Sequence, residues 1–139
     1  YPSLCFFEAT PVSIGRGTGF AFQVIGYSPV KLGDFNFTPR AIKGAALNPK
    51  FKNTTIHGLD LRQVNSTGLN LTYLINAYAT LNKHNVDFFE RAGFMDKLAG
   101  TNKLRLAIEA GQSVEQIKQS WQRGLTQFKA QRAPYLLYE

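Results

Sequence analysis

From Leu69 onward the apolar residues follow a three-and-four spacing, with Leu71, Leu74, Ile75, Tyr78 and Leu81 on one face of a helix of about three turns. A shorter helix is predicted over Asn102 to Ala110, with Leu104, Ala107 and Ile108 inward and Gly111 placed to end it. Ser113 and Gln116 then form a capping box. Beyond it Val114, Ile117, Trp121, Leu125 and Phe128 line one helical face, with Trp121 in the core and Gly124 weakening the helix by about 1 kcal/mol. The first half reads differently. Leu4 to Phe7, Phe20 to Tyr27, Phe35 to Thr38 and Thr54 to Val64 are rich in aromatic and β-branched residues and bounded by Gly, Pro, Asn and Asp, as strands are. Alternation puts Phe20, Phe22 and Val24 on one side, and Phe35 and Phe37 on a shared face. Pro134 stops the last helix, and the run Tyr135 to Tyr138 suits a short final strand. The pattern predicts one α+β domain over 1–139, with a mixed or antiparallel sheet formed mainly by the N-terminal half and about three helices from the C-terminal half packed on it.

With 139 residues, 44% of them hydrophobic, the chain has enough apolar surface for a core without disulfides. Cys5 is the sole cysteine and lies in an apolar run, which suits a small buried residue better than a nucleophile. The net charge of +7 is spread out. Arg40, Lys43, Lys50 and Lys52 make one cluster, while Lys118, Arg123, Lys129 and Arg132 are strung along the last helix. A solvated basic surface follows, or attraction to an acidic polymer such as a cell-wall glycan, and no nucleic-acid motif accompanies the charge. The apolar stretches are too short for a membrane-spanning helix. A start at Tyr1-Pro2-Ser3, with neither an initiator methionine nor a signal peptide, reads as a piece of something longer.

Candidate chemistry concentrates between residues 6 and 18. There an apolar run leads into a loop where Gly15 and Gly17 flank Arg16, and where Glu8 and Arg16 either brace a turn as a salt bridge or contact a polar ligand together. Elsewhere the signals are weaker. No P-loop and no GxSxG elbow is present, and His57 and His84 lack metal-ligand spacing, so no cofactor and no metal is expected. Asp60 and Arg62 suit a mutual ion pair or a rim contact, with the structural pair favoured. Asp87, Glu90 and Asp96 flank Phe88, Phe89 and Phe94, as in a loop pinned to the core. Asn53, Asn65 and Asn70 head glycosylation sequons whose meaning depends on the source.

Taken in order, Tyr1-Pro2-Ser3-Leu4-Cys5, Glu8 with Thr10, Gly15-Arg16-Gly17-Thr18, Phe37-Thr38-Pro39, Asn48-Pro49-Lys50, Gly58-Leu59-Asp60-Leu61-Arg62, Leu98-Ala99-Gly100-Thr101 and the terminal Arg132 to Tyr138 resemble the C-terminal part of the NamZ-type exo-β-N-acetylmuramidases. The resemblance covers nearly the whole chain, with departures at Ala9, where the family pattern has glycine, and at Pro11 and Ile14. It implies an exported bacterial protein, periplasmic or extracellular, that removes terminal N-acetylmuramic acid from peptidoglycan fragments. It also implies a Rossmann-like N-terminal domain that carries the catalytic acid and is the partner of this one. No catalytic residue is then expected here. This chain supplies one wall of the cleft, with Glu8, Arg16 and Thr18 as substrate-binding residues. Arg16 would pair with the lactyl carboxylate of the muramoyl saccharide, and Glu8 would orient Arg16 or bind a sugar hydroxyl. Two other classes stay open. One is a carbohydrate-binding module stacking sugars on Tyr27, Tyr73 or Tyr135, and the other is a structural domain with an apolar face for its partner.

Overall fold

Three short strands, β1 (Val24–Tyr27), β2 (Phe35–Phe37) and β3 (Ile56–Asp60), precede four helices: α1 (Thr72–Asn82), α2 (Ala92–Ala99), α3 (Lys103–Glu109) and α4 (Val114–Arg132). They are seen in a computed structural model that describes residues 1–65 and 67–138. The sheet is antiparallel in the order β1-β3-β2, and the register sets Gly26 and Phe35 on either side of Gly58. The fold is therefore α+β, with strands from the first half and helices from the second, as the hydrophobic pattern predicts.

The strands pleat, so adjacent residues serve opposite faces. Ile25 joins the main core with Leu74 and Leu81 of α1, Leu71 at its N-cap, Phe7 and Met95. Val24, Phe37 and Ile56 form a second cluster on the other face, closed by Phe20, Phe35 and Phe51. α2 packs on the chain's first turn and α3 on α2, where Arg105 holds Asp96 at 2.9 Å and Glu109 at 3.2 Å. α4 begins with the predicted capping box, Ser113 Oγ accepting from the Gln116 amide and Gln116 Oε1 from the Ser113 amide.

Several elements depart from the sequence pattern. Leu4 to Phe7 is no strand: Cys5–Ala9 is a 3-10 helix, begun by the Leu4 and Cys5 amides on the Tyr1 carbonyl, with Phe6, Phe7 and Ala9 buried. A short apolar run buried all round does not distinguish strand from helix. The second strand starts only at Val24, because Phe22 takes φ 63° and its amide turns to the Ile14 carbonyl. The fourth predicted strand, Thr54 to Val64, ends at Asp60, whose carboxylate accepts from the Arg62 amide at 3.0 Å and bends the chain out of the ladder. Where a pinned loop was expected around Asp96, α2 forms and stops at Gly100 in the left-handed region, φ 70°. The final strand is replaced by a 3-10 turn over Ala133–Tyr135, and the stripe on α4 is buried only at Ile117, half-buried at Trp121 and exposed at Leu125 and Phe128.

Gly58 sits where the central strand is tightest, since a Cβ there would collide with the Ile25 carbonyl, while across from it a Cβ on Gly26 would come within 2.8 Å of the Phe37 ring. Gly58→Ala is expected to lower stability by about 3 kcal/mol, through strand separation. Gly124→Ala, in open space on α4, is expected to leave stability unchanged or raise it by up to about 1 kcal/mol. Thermal denaturation followed by circular dichroism checks both.

Candidate functional site

Between the first 3-10 helix and β1 the backbone is fixed by short polar contacts. Thr10 Oγ1 donates to the Phe7 carbonyl at 3.0 Å and accepts from the Val12 amide at 3.2 Å, which closes the helix and turns the chain. Ser13 then pairs with Gly26 by exchanged amide–carbonyl bonds of 2.8 and 2.9 Å, adding one rung beside β1. Gly15 and Gly17 follow at φ 78° and 85°. Both need the absence of a side chain for space as well as for angle. A Cβ on Gly15 would come within 2.7 Å of Val24, and one on Gly17 within 2.6 Å of the Arg40 carbonyl and of Pro49.

Pressed inward on either side, this turn throws Arg16 outward. Its Nη2 lies 3.3 Å from Glu8 Oε1, and its guanidinium carbon stands 4.7 Å above the Phe22 ring. Tyr1 closes the group by donating its hydroxyl to the same Glu8 oxygen at 3.1 Å and meeting Phe22 edge to face at 4.9 Å. That hydrogen bond to Glu8 raises the Tyr1 phenol above its ordinary pKa. The Glu8–Arg16 pair read from the sequence thus exists, and it leaves 48% of the Arg16 side chain exposed. A guanidinium carries five N–H donors, so one contact with Glu8 leaves capacity for a second anion.

Glu8 and Arg16 lie on the rim of an open groove of about 320 Å³. Val12 and Ile14 give it an apolar floor, and Ala45, Ala46 and Leu47 an apolar wall. That wall belongs to a small loop closed by an Ile42–Ala46 bridge and tied to the arginine turn by the Arg40 amide on the Gly17 carbonyl at 2.8 Å. Lys50 joins the two sides. Its ammonium donates to the carbonyls of Phe7 at 3.3 Å, of Thr10 and of Val12 at 3.2 Å. Three donors meet three acceptors. Lys50 was expected on a solvated basic surface; the residue does keep an exposed stem, but its charged end is turned inward and desolvated, which lowers its pKa against the opposing pull of Glu90 and Glu8. The sequence signal for it was its place in Asn48-Pro49-Lys50.

Thr18 lies behind this rim. Its hydroxyl donates to the Gly15 carbonyl at 2.6 Å and accepts from the Phe20 amide at 3.2 Å, which shapes the turn that presents Arg16. Asp60 and Arg62 are a structural pair, bonded at 2.7 and 2.9 Å, with the guanidinium capping Phe20 and Phe35 of the second cluster. Arg62 holds the Asp60 carboxyl down at about 2. Among the described residues no group of three His, Cys, Asp or Glu is placed to hold a metal ion, and no helix is long and apolar enough to cross a membrane. Cys5 donates to the Pro2 carbonyl, and burial raises its thiol pKa, opposite to what a nucleophile needs. Of the sugar-stacking candidates, Tyr27 is half-buried with Phe51 edge-on at 5.3 Å, Tyr73 is half-buried, and Tyr135 is open.

Fold and groove together define a small α+β domain in which an open groove sets one guanidinium beside an apolar wall. The chain belongs to the family described as "Exo-beta-N-acetylmuramidase NamZ, C-terminal", which it matches over residues 1–138. It is 32% identical to the "Peptidoglycan beta-N-acetylmuramidase NamZ" of Bacillus subtilis (strain 168), over 99% of this chain and 36% of that protein. Its fold matches the crystal structure of a DUF1343 family protein from Bacteroides fragilis NCTC 9343, with a TM-score of 0.88 and 46% identity, over all of this chain and 40% of the other. The chain thus spans well under half the length of these two relatives.

Removing the ammonium while keeping the stem, Lys50→Met, leaves the Thr10 and Val12 carbonyls short of a donor and is expected to cost about 2–3 kcal/mol in chemical denaturation. Asp60 has a folded pKa near 2 against an unfolded value of about 3.9. Its contribution is therefore complete above about pH 4 and lost as pH falls towards 2. Asp60→Asn is expected to be less stable at neutral pH and to show a shallower decline across that window, measured by thermal unfolding at stepped pH.

Proposed function

We propose that this chain is the C-terminal, cleft-forming domain of an exported exo-β-N-acetylmuramidase. In this reading it forms one wall of a cleft whose catalytic acid lies on the N-terminal portion that the longer relatives carry, and terminal N-acetylmuramic acid of peptidoglycan fragments is the substrate. The observation that carries it is Arg16, presented over the groove rim by Glu8 and Phe22 in a chain that belongs to this family.

N-acetylmuramic acid differs from N-acetylglucosamine by a lactyl ether, which adds a carboxylate and a methyl group to the sugar. The groove offers a counterpart to each. Arg16 supplies donors in a fork that matches a carboxylate, and Ala45, Ala46 and Leu47 supply accessible apolar surface across from it. Glu8 holds the guanidinium in place, so little side-chain freedom is lost when substrate arrives. Thr18 supports the same turn from behind, and a sugar hydroxyl within reach of Glu8 completes the contact. Lys50 takes no direct part, because its three donors are engaged by backbone. A stand-alone sugar-stacking module is less favoured, since Tyr27 and Tyr73 are half-buried.

In the two-domain protein, Arg16→Ala is expected to lower kcat/KM for a chromogenic N-acetylmuramide by about 10- to 150-fold, the equivalent of one charge-assisted hydrogen bond. Arg16→Lys should recover part of that loss, and the unfolding midpoint should stay within a few degrees of the parent. Equal loss of activity and stability, or an unchanged preference for the muramide over the glucosaminide, would remove Arg16 from substrate recognition.

A further inference from the structure

We infer that the distal half of α4 and the segment after it form the surface on which the N-terminal portion of the longer protein docks. The inference rests on the two-domain reading above, but not on the identity of the substrate.

α4 is anchored at one end only. Ile117 is buried and Trp121 half-buried, whereas every residue from 122 to 138 is exposed. The apolar stripe nevertheless continues past the point where cover stops. Leu125 and Phe128 extend the Ile117–Trp121 face at intervals of four and three residues, and are 45% and 58% exposed. Past the helix, Tyr135, Leu137 and Tyr138 are 83%, 92% and 85% exposed. An amphipathic helix draws most of its stability from packing of that stripe, and the uncovered length of about 16 Å is too short to hold itself in water. A run of exposed aromatic and aliphatic side chains of this kind marks an interaction surface.

The occupant follows from chain length and charge. The two relatives are matched over only 36% and 40% of their length, and the family match is to its C-terminal part, so the remainder of such a protein precedes this domain. Between residues 114 and 138 there are four basic residues, Lys118, Arg123, Lys129 and Arg132, and one acidic residue, Glu115. Two copies of this face would repel each other. The fitting partner is an apolar patch with an acidic rim, on the N-terminal portion of the same polypeptide.

Hydrogen exchange on the two-domain protein tests this, comparing the parent with the double variant Leu125→Glu/Phe128→Glu. In the parent, peptides covering 122–138 are expected to exchange ~100-fold more slowly than in the variant, while peptides from α1 exchange alike in both. Equally fast exchange in the two proteins overturns the proposal. So does protection that dilution abolishes together with a dimer in sedimentation, which would make the occupant a second copy. Muramidase activity is assayed on the same samples: protection without activity leaves the docking surface standing and removes the substrate reading.

Discussion

The two sides of the groove are tied together by one lysine ammonium, which donates to three backbone carbonyls, two of them with no other donor among the described residues. Thr10 and Val12 lie where the chain has left a 3-10 helix and has not yet joined the sheet, so their carbonyls have no ladder or helical repeat to bond with, whereas the Phe7 carbonyl also accepts from the Thr10 amide and hydroxyl. Lys50 reaches them from the far side of the groove and so fixes the distance between the Glu8–Arg16 rim and the Ala45–Leu47 wall. Burial works against the charge, and the carbonyls together with Glu90 and Glu8 offset it.

Around this contact the structure relies on close backbone approach. Gly17 lets the arginine turn lie against Arg40 and Pro49, and Gly15 lets it lie against Val24. Gly26 and Gly58 play the same part inside the sheet, where three short strands would otherwise be held too far apart for Phe37 to lie across them. A three-stranded sheet of this size is marginal on its own. It persists because α1 and its N-cap residue bury Leu71, Leu74 and Leu81 on one face and a cluster of aromatic residues under Arg62 closes the other.

The arginine that faces the groove is positioned by means that do not use it up. One contact to Glu8 and one ring face beneath the guanidinium set its orientation, while Tyr1 takes part of the Glu8 charge. A neutral or apolar residue at position 8 would leave the guanidinium free to rotate. A second acid beside it would occupy the donors that Glu8 leaves free. The opposite arrangement is seen at Arg62, whose fork is filled by Asp60 and whose plane covers Phe20 and Phe35, so its role is structural.

Much of the fold was legible because local rules and tertiary packing agree in it. The three-and-four spacing of α1, the Ser113–Gln116 box and the glycine before it each specify helix without reference to the rest of the chain. The Glu8–Arg16 pairing was legible as well, since two opposite charges bracket a glycine-flanked turn. Residues that depend on distant partners were hidden. Leu4 to Phe7 became a 3-10 helix whose apolar side chains join a core with α1 and Met95, and Phe22 entered the left-handed region where its amide meets the Ile14 carbonyl. Lys50 looked like any surface lysine until folding brought it to Phe7, Thr10 and Val12. Residue type and spacing by themselves determined α1, α3 and α4, the α+β class and the charged turn; the tertiary structure alone decided which carbonyls a lysine ammonium reaches, because that depends on contacts between residues some forty positions apart.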